Sequence, residues 1–228
     1  MTDPDRGSRK RVPPEAITDD TPWRLLVAVR HTRVEKPRGI CLGRTPLALA
    51  RSYLEEQREI AKELRTTGDL PGRPLAGGVI YTSPLERCRT LAGDLGVALG
   101  YPVREDPRLL EFDYGLWEGR PWEEIPREET GPWMENWQTR SPPGGESLPE
   151  MINRVQTFCE DLPGEGPALA ITHEGVLRCL EHLFAHTDLD DFFRDSLPCG
   201  VIRRYRLPLP SHRLRPPPLT PGTGQTGQ

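Results

Sequence analysis

Leu25-Leu26-Val27-Ala28-Val29-Arg30-His31-Thr32 and Ala168-Leu169-Ala170-Ile171-Thr172-His173-Glu174-Gly175 are two apolar runs of strand length, and each stops at a histidine. Continuous apolar runs of this kind suit strands buried on both faces of a parallel sheet. Open α/β sheets hold their ligand crevice at the carboxyl ends of such strands. Two imidazoles delivered to one crevice, with Arg30 directly before the first, point to phosphoryl chemistry at histidine.

The intervening chain supplies the layers. After a loop over 33–46, Leu47 to Leu64 is predicted helical, with Ala50, Tyr53, Leu54, Ile60, Ala61 and Leu64 at helical spacing. Gly78 to Thr82 is a short strand running into Ser83-Pro84-Leu85-Glu86, which reads as a serine cap, a first-position proline and a capping-box glutamate. Leu85, Cys88, Ala92, Leu95 and Leu99 then share one face. A second start signal, Ser147-Leu148-Pro149-Glu150, opens a helix with Met151, Ile152, Val155, Phe158 and Cys159 as its stripe. Val176, Leu177, Leu180 and Leu183 make the segment after His173 amphipathic, and Val201 to Leu207 is a last strand. This alternation predicts an α/β fold, a three-layer α/β/α sandwich with a mostly parallel central sheet.

The 228 residues fit a single core. The expected domain is 22–207, with a polar N-terminal extension over 1–21 and a Pro/Gly-rich tail over 208–228, neither able to bury enough apolar area to order itself. A net charge of -4 and a pI near 5.8 argue against nucleic acid or an anionic membrane as partner. No apolar run approaches the ~20 residues of a membrane span, and the polar start lacks a signal-peptide core, so the expectation is a cytoplasmic protein. Cys41, Cys88, Cys159, Cys179 and Cys199 stand singly, a spacing that suits small buried residues better than a disulfide framework or a zinc site.

The topology gathers charge of one sign. Arg30 and His31 end one strand, His173 ends another, and Arg87 lies just inside the helix after Ser83. Helix amino termini attract anions, and guanidinium forks match phosphate oxygens. A lone strand-end histidine is ordinarily only a hydrogen-bonded or surface residue, but the conjunction suits a tetrahedral dianion. No carboxylate cluster has metal-ligand spacing, so neither metal nor cofactor is expected.

Five segments then carry a resemblance: Arg30-His31; Thr82-Ser83-Pro84-Leu85-Glu86-Arg87-Cys88-Arg89-Thr90; Leu110-Glu111-Phe112-Asp113-Tyr114-Gly115-Leu116-Trp117-Glu118-Gly119; Pro143-Gly144-Gly145-Glu146-Ser147; and Thr172-His173. In this order they resemble the histidine phosphatase superfamily, with its phosphoglycerate mutase-like fold. The resemblance implies His31 as nucleophile through a phosphohistidine, Arg30, Arg87 and His173 as phosphate-binding groups, His173 also being catalytic, and Glu111 as general acid, with Glu118 the competing candidate. Arg30-His31-Thr32 followed by Gly39 to Arg44 is similar to the α-ribazole phosphatase branch, which implies α-ribazole 5'-phosphate as substrate, in cobalamin synthesis, and Arg44 as a substrate contact. Leu42 and Thr45-Pro46 depart from that branch.

Trp117, Trp122, Trp133 and Trp137 fall between the acid motif and the Pro142-Pro143-Gly144-Gly145 loop, where they form either an aromatic wall for a nucleoside-like leaving group, with Trp117 as a contact, or a small cap packed on itself. Glu174 departs from the small residue usual in the family after the second histidine. An outward side chain is expected, because only backbone is needed there. An inward one would repel the dianion and favour a second reading, a phosphatase-like domain that binds a phosphorylated ligand or partner protein without turnover. Mutase-type phosphotransfer is a third. The expected partner is a small phosphomonoester, and the expected state is monomer or homodimer.

Overall fold

The computed structural model describes residues 22–68, 78–163, 166–193 and 195–209. The expected extension over 1–21 and most of the tail lie outside the described residues. The last strand runs one residue past Leu207. Pro208 still belongs to the last strand, opposite Trp23, and the Leu209 N–H donates to the Pro22 carbonyl.

Strand β1 (Trp23–Arg30) runs parallel to β4 (Ala168–Thr172), which is parallel to β2 (Ile80–Thr82), which is parallel to β3 (Val103–Glu105). Strand β5 (Ile202–Pro208) closes the other edge antiparallel to β1, giving the order β3-β2-β4-β1-β5. Alternation along β1 sorts the core into two layers. Val27 and Val29 face helices α1 (Tyr53–Thr66) and α2 (Glu86–Leu99), whereas Leu26 and Ala28 face α4 (Leu148–Glu160) and α5 (Glu174–Ala185). A short α3 (Arg127–Glu135) and several 3-10 turns fill the segment before α4. The chain is thus the α/β sandwich expected, and among the described residues no helix is long and apolar enough to cross a membrane.

Three local expectations are corrected. The first helix begins at Tyr53 and not at Leu47, because Leu49 forms a bridge with Val34 while Leu47 and Ala50 turn to a cavity. Ser83 does not cap α2. Leu85 occupies the cap position without a side-chain bond, and Glu86 pairs with Arg89 and Thr90 in place of a capping box. Strand β3 is an addition that sequence patterning passed over, since all three of its residues are exposed. The second start signal does form a full capping box, with the Glu150 N–H donating to Ser147 Oγ and the Ser147 N–H donating to Glu150.

Candidate active site

Strands β1 and β4 pair Arg30 with Thr172, which brings their carboxyl ends level. The His31 N–H donates to the Thr172 carbonyl, and the His31 carbonyl accepts from the Gly200 N–H. The nucleophile candidate is therefore pinned by backbone on two sides. The His31 and His173 rings lie edge to face, 5.3 Å between centroids.

Hydrogen bonding fixes the His31 tautomer. Its Nδ1–H faces the Thr32 carbonyl at 2.7 Å, which requires the proton there, and Nε2 has no protein partner among the described residues. Burial, with Arg87 next, lowers its pKa to about 3 against the upward pull of the Thr32 bond. The imidazole is thus neutral across the physiological range, with a bare nitrogen in a residue that lines the cavity.

His173 occupies a different kind of place. The Arg87 Nε–H donates to its Nδ1 at 3.3 Å, so Nε2 holds the proton and donates to Ser83 Oγ at 2.7 Å. The ring is fully buried, and it is not part of the cavity wall. Burial, followed by His31 and Arg87, holds its pKa well below the usual histidine range. The serine read as a helix cap orients this ring, while its Oγ also accepts from the Leu85 N–H at 3.3 Å. Arg87 reaches the cavity while its terminal nitrogens donate to the Gly43 and Thr45 carbonyls.

Glu111, the acid candidate, is held by two backbone N–H groups. Its Oε1 accepts from the Phe112 N–H at 2.9 Å and the Gly175 N–H at 3.1 Å, and burial raises its pKa against those bonds and the pull of Arg87 and Arg30. It lines the cavity together with His31 and Arg87. A Cβ on Gly175 would lie 2.4 Å from that Oε1 and 2.9 Å from Met151 Cε, so glycine is required there for the acid to keep its seat. Glu118 accepts from the Arg44 and Tyr114 N–H groups through Oε1 and is absent from the cavity wall.

Arg44 and Trp117 are not on the cavity wall either. Arg44 ion-pairs with Asp113 at 2.7 Å and Glu146 at 3.1 Å and donates to the Glu111 carbonyl, so it braces the acid from behind. Trp117 is fully buried, with its ring against Trp133 and its Nε1–H donating to Glu129. Of the four tryptophans only Trp122 faces the cavity, joined by Phe112, Tyr114, Phe192 and Phe193. The last two follow α5, a segment that sequence reading left unassigned. The cavity measures about 620 Å³, and Arg33 and Lys36 stand among its apolar lining.

Glu174 is not turned outward. Its Oε2 lies 2.9 Å from Arg30 Nη2 and accepts from Ser196 Oγ, while Oε1 accepts from the Leu197 N–H at 2.7 Å. The side chain lines the cavity. Arg30 Nη1 donates in turn to the Leu197 carbonyl.

A model of the histidine phosphatase superfamily (branch 1) matches residues 26–206. Phosphoserine phosphatase 1 of Hydrogenobacter thermophilus is 28% identical over 176 residues, covering 74% of this chain and 79% of the relative. A protein named probable phosphoglycerate mutase GpmB, of Salmonella paratyphi C, is 33% identical over 115 residues, covering 47% of this chain and about half, 53%, of the relative. In fold, the chain is similar to the α-ribazole phosphatase of Shigella flexneri, with a TM-score of 0.63 at 21% identity, covering 79% of this chain and 89% of that one.

Proposed function

The chain belongs to the histidine phosphatase superfamily, whose members are phosphatases or mutases, and on that premise we propose that it hydrolyses small phosphomonoesters through a phosphohistidine on His31. The observation that carries this reading is the His31 tautomer. A proton locked on Nδ1 leaves the Nε2 lone pair facing a cavity that also holds Arg30, Arg87 and a raised-pKa carboxyl.

In the first step Nε2 attacks phosphorus, the P–N bond forms, and the P–O bond to the leaving group breaks. The Glu111 proton passes to the departing alkoxide. In the second step water attacks phosphorus, Glu111 takes its proton, and the P–N electron pair returns to Nε2. Arg30 and Arg87 offset the charge that builds on the phosphoryl oxygens. His173 holds Arg87 in this scheme through Nδ1, while its Nε2–H is anchored on Ser83 Oγ.

Tyr114, Trp122, Phe192 and Phe193 favour a leaving group with a flat or apolar body. α-Ribazole 5'-phosphate has that chemistry. Phosphate release should be measured from an aryl phosphate, α-ribazole phosphate, O-phosphoserine and 3-phosphoglycerate in excess chelator, for wild type and His31→Ala. Release by wild type that the variant loses by at least about a thousandfold supports the reading. No release from any of the four favours the binding-domain reading, and isomerisation of 3-phosphoglycerate without net release favours a mutase.

A further inference from the structure

The fork of Arg30 is already partly taken. Its Nη1 donates to the Leu197 carbonyl and reaches Ser196 Oγ, and Nη2 is ion-paired with Glu174. Its Nε–H is buried with no protein partner among the described residues. A buried guanidinium hydrogen left unpaired is costly, and Arg30 lines the cavity, where an anion would offset its charge.

At that end of the cavity one of the cations is already paired with a carboxylate. Arg30 and Arg87 supply two positive charges, His31 and His173 are neutral, and Glu111 is favoured in its protonated form by burial. Glu174 then places a carboxylate 2.9 Å from one of the two cations. Asp195 also faces the cavity, as do Arg33, Lys36 and Arg178, and the Arg178 terminal nitrogens donate to Glu181 and the Asp195 carbonyl.

We infer that Glu174 is a specificity-determining residue: by neutralising Arg30 inside the phosphoryl site it weakens the hold on doubly charged phosphate, tilting the site toward singly charged phosphoryl groups and speeding the departure of product phosphate. Its bonds to Ser196 and Leu197 keep the carboxylate in place, so the negative charge is a fixed part of the site and not a side chain that swings aside. The inference takes the cavity to be the phosphate site of the proposed hydrolase, yet its test reads binding and needs no turnover.

Calorimetric titration of the full chain with orthophosphate at about pH 8, where it is a dianion, and with perchlorate, a singly charged tetrahedral ion, separates charge from shape. Glu174→Gln should bind orthophosphate about tenfold tighter than wild type and perchlorate distinctly less so. Ser196→Ala removes a bond to Glu174 while leaving its charge, and should stay within about twofold of wild type for both ions. Unchanged or weaker orthophosphate binding in Glu174→Gln overturns the inference and makes Glu174 a clamp for Arg30. Equal tightening in Ser196→Ala also overturns it, because loop release and not charge would be the cause. If wild type hydrolyses none of the phosphomonoesters yet Glu174→Gln shows the expected tightening, the hydrolase reading fails and this one stands.

Discussion

In the proposed mechanism a histidine attacks phosphorus and a carboxyl gives up a proton, which need opposite departures from solution chemistry, and burial supplies both. It lowers the imidazole of His31 to about 3 and raises the carboxyl of Glu111. The acid limb of kcat/KM is therefore expected near pH 3, set by protonation of His31, and the basic limb by ionisation of Glu111 above the ordinary carboxylate range. Glu111→Gln should remove the basic limb and lower kcat by about 10²–10⁴ for an alkyl phosphate. An aryl phosphate, whose phenoxide leaves without help, should lose much less. A pH-rate series on both substrates checks this, and equal losses for the two would count against Glu111 as the proton donor.

The elements that carry these residues were legible to different degrees. Strands β1 and β4 are legible because Leu26–Val29 and Ala168–Ile171 are apolar and buried on both faces up to the candidate site. Strand β3 left no signal, since an exposed edge strand of three residues has no apolar pattern to show. The apolar residues of 47–50 misled in the opposite sense, because Leu47 and Ala50 are apolar to line a cavity and not to seat a helix. The conjunction of Arg30, His31, Arg87 and Glu111 could be read from motif order. The roles of Ser83, Glu174 and Phe192 could not, because each depends on which neighbour the folded chain puts in front of it. Gly175 did carry a usable signal: a glycine inside the first turn of α5 costs helix stability and needs a reason. Gly175→Ala should displace the Glu111 carboxyl, lowering kcat by roughly tenfold to a hundredfold and stability by about 1–3 kcal/mol, checked by kinetics and thermal denaturation. By contrast Ser147→Ala breaks the capping box of α4 and should cost about 1 kcal/mol with kcat unaltered, as chemical denaturation with parallel assays would show.

At the scale of the whole molecule the same two groups bias stability in opposite directions along the pH axis. Between roughly pH 6.5 and 3 the unfolded chain protonates His31 while the folded one does not, so acidification through that window destabilises the fold. Glu111 ionises more readily unfolded than folded, so its contribution falls as pH rises above about 4.5. Glu111→Gln should accordingly melt above wild type at pH 8 and close to wild type at pH 4; identical shifts at both would show that packing, and not proton linkage, governs the site. The bracket around His31 has a different consequence, in time. Its amide is held by Thr172 and its carbonyl by Gly200, so the proposed nucleophile is made early on the ribosome while its holders come last. At ordinary synthesis speeds roughly 10 to 30 s separate His31 from Gly200. On the proposed reading, the nascent chain has its nucleophile throughout that interval without the bracket that positions it, and a chain released before Gly200 is made is expected to be inert toward phosphomonoesters.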